Sequence, residues 1–159
     1  MKIIFIIYII FFTTLVAENN YSTKSNWLLE TKTNEQKFKK IQKQYRGFDL
    51  AMVEVGYRFN SFYFAIKDKN YDLAHYQLDK IKKAIENGIE RRPKRKSNSE
   101  TMFLDTQYKA MSEALSTKNS QQIEKEYINT KQLCNACHTA EKVPFIHVTD
   151  PRYRWQPIQ

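Results

Sequence analysis

The chain has 159 residues, of which 42% are hydrophobic and 14% aromatic, enough for one compact domain and hardly for two. With three glycines and four prolines it lacks the turn-formers of a β-sandwich, so an all-α fold is expected. The net charge of +9 makes a basic surface suited to an acidic partner. Nucleic acid is not expected as that partner, because no recognition motif accompanies the charge.

Residues 1–17 read as a signal peptide: Lys2 supplies the positive end and the apolar run begins at Ile3 and extends to Ala17. The run is shorter than the roughly 20 apolar residues that span a bilayer, so membrane association is expected only if the segment stays uncleaved. Export to the periplasm is the expected destination. Residues 18–33 show no helical period and read as a flexible leader.

From Phe38 a single stripe runs through Ile41, Tyr45, Phe48, Met52, Val55, Phe59, Phe62 and Ile66 in steps of three and four, which predicts one long helix ending near Lys67. Asn70 is placed to cap a second helix whose stripe is Ala74, Leu78, Ile81 and Ile85, ending between Gly88 and Pro93. A basic run comes next, Arg91, Arg92, Lys94, Arg95 and Lys96, read either as a solvated loop or as a docking patch. Ser97 or Ser99 is expected to cap a third helix on the stripe Leu104, Tyr108, Met111, Leu115, broken at Lys118 to Ser120. The fourth helix carries Ile123, Tyr127, Thr130, Cys134 and Cys137 on its core-facing side. Short connections favour antiparallel neighbours, so residues 34–138 are expected to form an up-down-up-down four-helix bundle, with residues 139–159 as an extended tail.

Cys134-Asn135-Ala136-Cys137-His138 holds the only two cysteines and fits C-x-x-C-H, the attachment sequence for c-type haem. Two thiols three residues apart on a helix can reach the two vinyl groups of one porphyrin, and the adjacent imidazole then lies beneath the iron. The competing readings are a disulfide, a thioredoxin-like pair and half of a zinc site. The second wants a βαβ context, and the third wants four ligands, for which only His75 and His147 remain, at no recognisable spacing. One covalent haem c, bound by Cys134, Cys137 and His138, is therefore the expected cofactor.

With the motif near the end of a fourth helix, residues 34 to 138 resemble the cytochrome c′ group and its low-spin relatives, which are monohaem four-helix bundles. The chain departs from that group in two places. Thr139, Ala140 and Glu141 stand where a basic residue often follows the motif, and Phe48 stands where an arginine tends to precede the distal position. The resemblance is to a relative rather than to a cytochrome c′ proper. It implies that the sixth iron ligand comes from the first helix, where Met52 is the one donor on the core stripe.

Counting rise along the helices gives the same residue. Met52 lies about 22 Å and His138 roughly 26 Å from the shared end of the bundle, whereas Met111 comes out at about 9 Å, and His75 fails likewise. Met102 reaches the depth but sits off its stripe, and His147 would have to wrap to the other haem face. A lone methionine on an apolar stripe is ordinarily packing; beside a haem its thioether suits the iron. Arg58 is read as an ion-pair partner of Glu54, one turn back, in preference to a haem propionate partner.

The first expectation is thus a periplasmic electron carrier with a redox partner protein bearing an acidic surface, and not an enzyme, since no nucleophile, paired carboxylates or second metal set is recognisable. A five-coordinate gas-binding protein and a haem subunit of a larger oxidoreductase are the alternatives. A homodimer is compatible with the apolar faces available.

Overall fold

A computed structural model describes residues 26–155 and Pro157. The signal peptide expected at 1–17 and the leader up to residue 25 lie outside the described residues. The chain divides into two compact units, 1–41 and 42–159. Among the described residues the regular structure is entirely helical: α1 (Asn34–Gln44), α2 (Phe48–Lys67), α3 (Tyr71–Arg91), a short α4 (Lys96–Ser99), α5 (Gln107–Thr117) and α6 (Ser120–Ala140).

In the first unit the described part of the leader is an ordered turn rather than a free strand. Glu30 N donates to Asn26 O (2.9 Å), and Thr31 Oγ1 donates to Leu28 O (2.6 Å). Thr33 Oγ1 then accepts from Gln36 N (3.2 Å) as the helix begins, a side-chain cap for one of its orphan donors. α1 buries no residue.

The long first helix expected from the Phe38 stripe is broken. Arg46 takes a left-handed conformation (φ 56°), Gly47 N donates to Asp49 Oδ1 (2.9 Å), and α2 begins at Phe48. Apolar spacing continues across this break without registering it, and Phe38 and Tyr45 are exposed. Arg92 lies against the break, where a Cβ added to Gly47 would come within 3.1 Å of its Nε.

α2 ends at Lys67, as the periodicity predicts, and the chain reverses through a left-handed Lys69 (φ 58°). Lys69 N donates to Ile66 O (3.0 Å) and Asn70 N to Ala65 O (2.9 Å), so the last turn's carbonyls are satisfied by the pair of bonds of a Schellman motif. Asn70 then caps α3, its side chain accepting from Leu73 N (3.0 Å). A left-handed lysine also ends α5, where Lys118 has φ 54° and Asn119 Oδ1 accepts from Gln121 N (3.0 Å) and Gln122 N (3.1 Å) to start α6.

Neither Ser97 nor Ser99 caps the third helical stretch. It begins with a 3-10 turn at Pro93–Arg95, where a proline costs no hydrogen bond, and Ser99 is buried. Glu100–Leu104 is wound as a π turn, closed by Asp105 N donating to Glu100 O (3.0 Å). The extra residue in that turn shifts the register, so Phe103 enters the core and Leu104 only flanks it, contrary to the expected stripe.

α2 packs along α3, α3 against α5, and α5 along α6. Their buried faces make one core of Phe59, Phe62, Ala65, Leu78, Ile81, Met111, Leu115, Ile123, Tyr127 and neighbours. Tyr127 of α6 sits among three rings of α2, with centroids 5.8 Å from Phe59, 6.2 Å from Phe62 and 5.5 Å from Tyr63. Gln107 Nε2 ties α5 to α6 by donating to Glu126 O (3.0 Å) and Thr130 Oγ1 (3.1 Å).

Two glycines separate packing from propensity. A Cβ on Gly88 of α3 would lie 2.8 Å from the Ala51 Cβ and 3.0 Å from the Phe48 ring, whereas one on Gly56 of α2 would meet nothing within 4 Å. Gly88→Ala is expected to destabilise the protein by about 1 kcal/mol or more, overpacking outweighing the gain in helix propensity. Gly56→Ala is expected to stabilise by about 0.5–1 kcal/mol. Denaturant unfolding of the two variants checks the opposite signs.

Candidate functional site

The C-x-x-C-H segment occupies the last two turns of α6. Cys134 and Cys137 are one turn apart, both free and both half-buried. The stripe that begins with the buried Ile123, Tyr127 and Thr130 therefore surfaces before it reaches the cysteines. Beyond Thr130 α6 also meets polar partners. Arg95 forms an ion pair with Glu141 and donates to its backbone oxygen (3.2 Å), and Asn98 Nδ2 donates to Glu141 Oε1 (2.7 Å). Burial and the neighbouring Cys137 push the Cys134 thiol up to about 12. Burial also raises Cys137, against the opposing pull of the Arg95 guanidinium.

The chain reversal at the end of α6 sets the state of His138. Lys142 is left-handed (φ 62°) and closes a second Schellman motif: its N–H donates to Thr139 O (3.0 Å), and Val143 N donates to His138 O (2.8 Å). Pro144 then prevents further helix. The chain doubles back, and Ile146 O comes to lie 2.6 Å from His138 Nδ1. A carbonyl can only accept, so Nδ1 carries a proton, and in the neutral ring the lone pair lies on Nε2.

The tail, expected to be merely extended, is in fact fastened along α6 and α2 without regular structure of its own. Asn135 makes two bonds to Val148, donating to its O (3.0 Å) and accepting from its N (2.7 Å). Asp150 accepts from Tyr127 OH (2.7 Å) and Lys131 Nζ (2.7 Å). Asn60, buried on α2, donates to Tyr153 O (3.0 Å) and accepts from Trp155 N (3.2 Å). Arg154 pairs with Asp68 (2.7 Å) and lies 4.7 Å above the Phe64 ring. Sequence reasoning misses all of these tail partners, because amides at positions as far apart as 60 and 135 have no periodic signature.

Met52 lies half-buried on α2 against the core, with Phe48 and Val55 beside it. The helix ends that carry Met52 and His138 adjoin the same stretch of chain, since Phe48 and Ala51 face Gly88, and Arg95 meets Glu141. The structure does not bring Met52 into contact with the motif. Met111 is fully buried core, Met102 is half-buried in the π turn, and His147 is exposed. His75 is engaged on α5 through Ser112 Oγ (2.8 Å). Among the described residues no group of three or more His, Cys, Asp and Glu could hold a metal ion. Arg58 pairs with Glu54 at 3.6 Å.

Two thiols one turn apart and an imidazole with a free Nε2 form a donor set that fits a covalently attached porphyrin. Two surface hollows, of about 520 and 360 Å³, lie elsewhere, along Ser120–Gln132 of α6 and between α3 and α5.

Two measurements test the site's electrostatics. Iodoacetamide is expected to label Cys137 of the haem-free chain faster than Cys134, because the more strongly raised thiol holds less thiolate at pH 8. Asp150, held below its ordinary value of 3.8 by Lys131 and by Tyr127, contributes stability above that value and loses it as the pH falls through its lowered folded one. The protection of the Val148 amide, its exchange relative to an unstructured chain at the same pH, should therefore fall below about pH 4 in the native chain, and much less so in Asp150→Asn. No family model, no curated protein and no solved structure matches this chain.

Proposed function

We propose that the chain is an exported monohaem c-type cytochrome that carries electrons. Cys134 and Cys137 hold the porphyrin through thioethers, His138 is the proximal ligand, and Met52 is the distal one. The single observation that carries this reading is the state of His138. One residue after two free thiols, its Nδ1 is bound to a carbonyl and its Nε2 is left available, which is how a metal-ligating histidine is ordinarily held. Bound haem would supply a one-electron couple between ferric and ferrous iron.

The protein's own part is to hold and surround that group. An up-down-up-down bundle is the arrangement we propose for α2, α3, the stretch 93–117 and α6, with Met52 and His138 at the same end of it. Arg91 to Lys96 adjoins that end through Arg95 and Glu141, and Lys94 is exposed. A redox partner with an acidic surface would meet the protein there, and the contact would weaken with salt. Residues 1–17 would direct the chain to the periplasm.

A second reading has one observation in its favour. Met52 is already engaged in packing with the core residues beside Phe48 and Val55. Left there, it would give five-coordinate iron open to small gases.

The optical spectrum of the protein matured with its haem, ferric and reduced, with and without carbon monoxide, separates the readings. The electron carrier gives low-spin bands, a far-red methionine band in the ferric form and no response to the gas. Met52→Ala should then become high-spin, bind carbon monoxide and fall in midpoint potential. High-spin bands in the unaltered protein would move the assignment to gas binding, and failure to attach any haem would end both.

A further inference from the structure

Asn135 occupies the first variable position of the motif, where the attachment chemistry asks nothing of the side chain. Yet it is half-buried and uses both ends of its amide on one residue of the tail, Val148, at 3.0 and 2.7 Å. Val148 lies two residues beyond Ile146, whose carbonyl meets His138 Nδ1 at 2.6 Å. The segment between them is pinned at its other side by Val143 N on His138 O (2.8 Å) and by Ile146 N on Val143 O (3.0 Å). Ile146 itself is exposed, as is Phe145, whereas Val148 packs against the core, so the carbonyl is held through its hydrogen-bonded neighbours and the seating of Val148. The loop is fixed at both ends by hydrogen bonds to the last turns of α6, and Asn135 makes two of them.

We infer that Asn135 is the positioning residue of His138: by clamping Val148 it presents the Ile146 carbonyl to the ring, fixes the proton on Nδ1 and aims Nε2 outward from the helix. The inference rests on the proposed haem ligation only for its consequence at the iron. There, donation from Nδ1–H makes the imidazole a stronger ligand and favours the ferric state. Loosening the clamp therefore raises the midpoint potential. The tautomer and the order of the loop belong to the polypeptide and are readable without haem.

The experiment compares nitrogen-15-labelled full-length chains, each matured with haem and each produced without it: the native sequence, Asn135→Ala, Asn135→Asp and Arg154→Ala. The readouts are His138 ring nitrogen shifts, solvent exchange of the ring proton and of the Val148 amide, and, for the haem forms, the midpoint potential. Asn135→Ala is expected to speed both exchanges on the order of tenfold, two hydrogen bonds being lost, and to move the potential upward. Asn135→Asp keeps the acceptor for Val148 N and should recover part of the protection. Arg154→Ala removes the Asp68 pair and the Phe64 contact at the far end of the tail and should leave the ring and the potential at native values.

A native ring proton and potential in Asn135→Ala would overturn the inference, and so would an equal change in Arg154→Ala, since general docking of the tail would then be the cause. If no chain attaches haem, the proposed function fails on its own. The ring shifts and exchange rates of the haem-free chains then still decide whether Asn135 positions His138.

Discussion

The reversal at Lys142 is the constraint on which the candidate site depends. A left-handed residue ends α6, its neighbour's N–H satisfies the carbonyl of His138, and the tail is sent back along the helix it has just left. Without that turn the Ile146 carbonyl, the Val148 clamp and the Asp150 contacts have no common origin. A β-carbon at positive φ is strained by about 1–2 kcal/mol. The strain is offset locally by the two Schellman bonds and by a basic side chain at the negative end of the helix dipole.

The same solution recurs. Arg46, Lys69, Lys118 and Lys142 are all left-handed and all basic, and the three lysines end α2, α5 and α6. A chain with three glycines has had to make its helix ends from other residues. This explains why the ends are harder to read than the helices. Asn70 announces itself as a cap, whereas Asn119 reads only as part of a break, and the stripe of α3 is legible down to the residue. The break before Phe48 is not, because the apolar spacing runs through it unchanged while Arg46 turns left-handed. Nor is the π turn at Glu100–Leu104, which adds a residue without any change in composition and moves Phe103 rather than Leu104 into the core.

The candidate site is legible in its donor atoms and illegible in its support. Spacing alone singles out Cys134, Cys137 and His138, since the chemistry asks for particular atoms at particular intervals. It also puts the cysteines on a core-facing stripe, and the structure shows them half-buried. The tail lacks any period and so reads as unattached. Its attachments are single hydrogen bonds from Asn60, Asn135, Tyr127 and Lys131, each aimed at backbone or at one carboxylate. Such bonds depend on where two remote positions meet, and no local pattern encodes that.

The fastening of Tyr153 and Trp155 to Asn60 has a consequence for the order of events as the protein is made. Contacts between residues more than 90 positions apart close late, since the entropy of a long loop must be overcome first. They also involve a part of the chain that leaves the ribosome after α6. The helix carrying both cysteines can thus assemble with its neighbours before the tail is fastened along it, so the amides of Asn60 and Asn135 face water before they meet their partners in the tail.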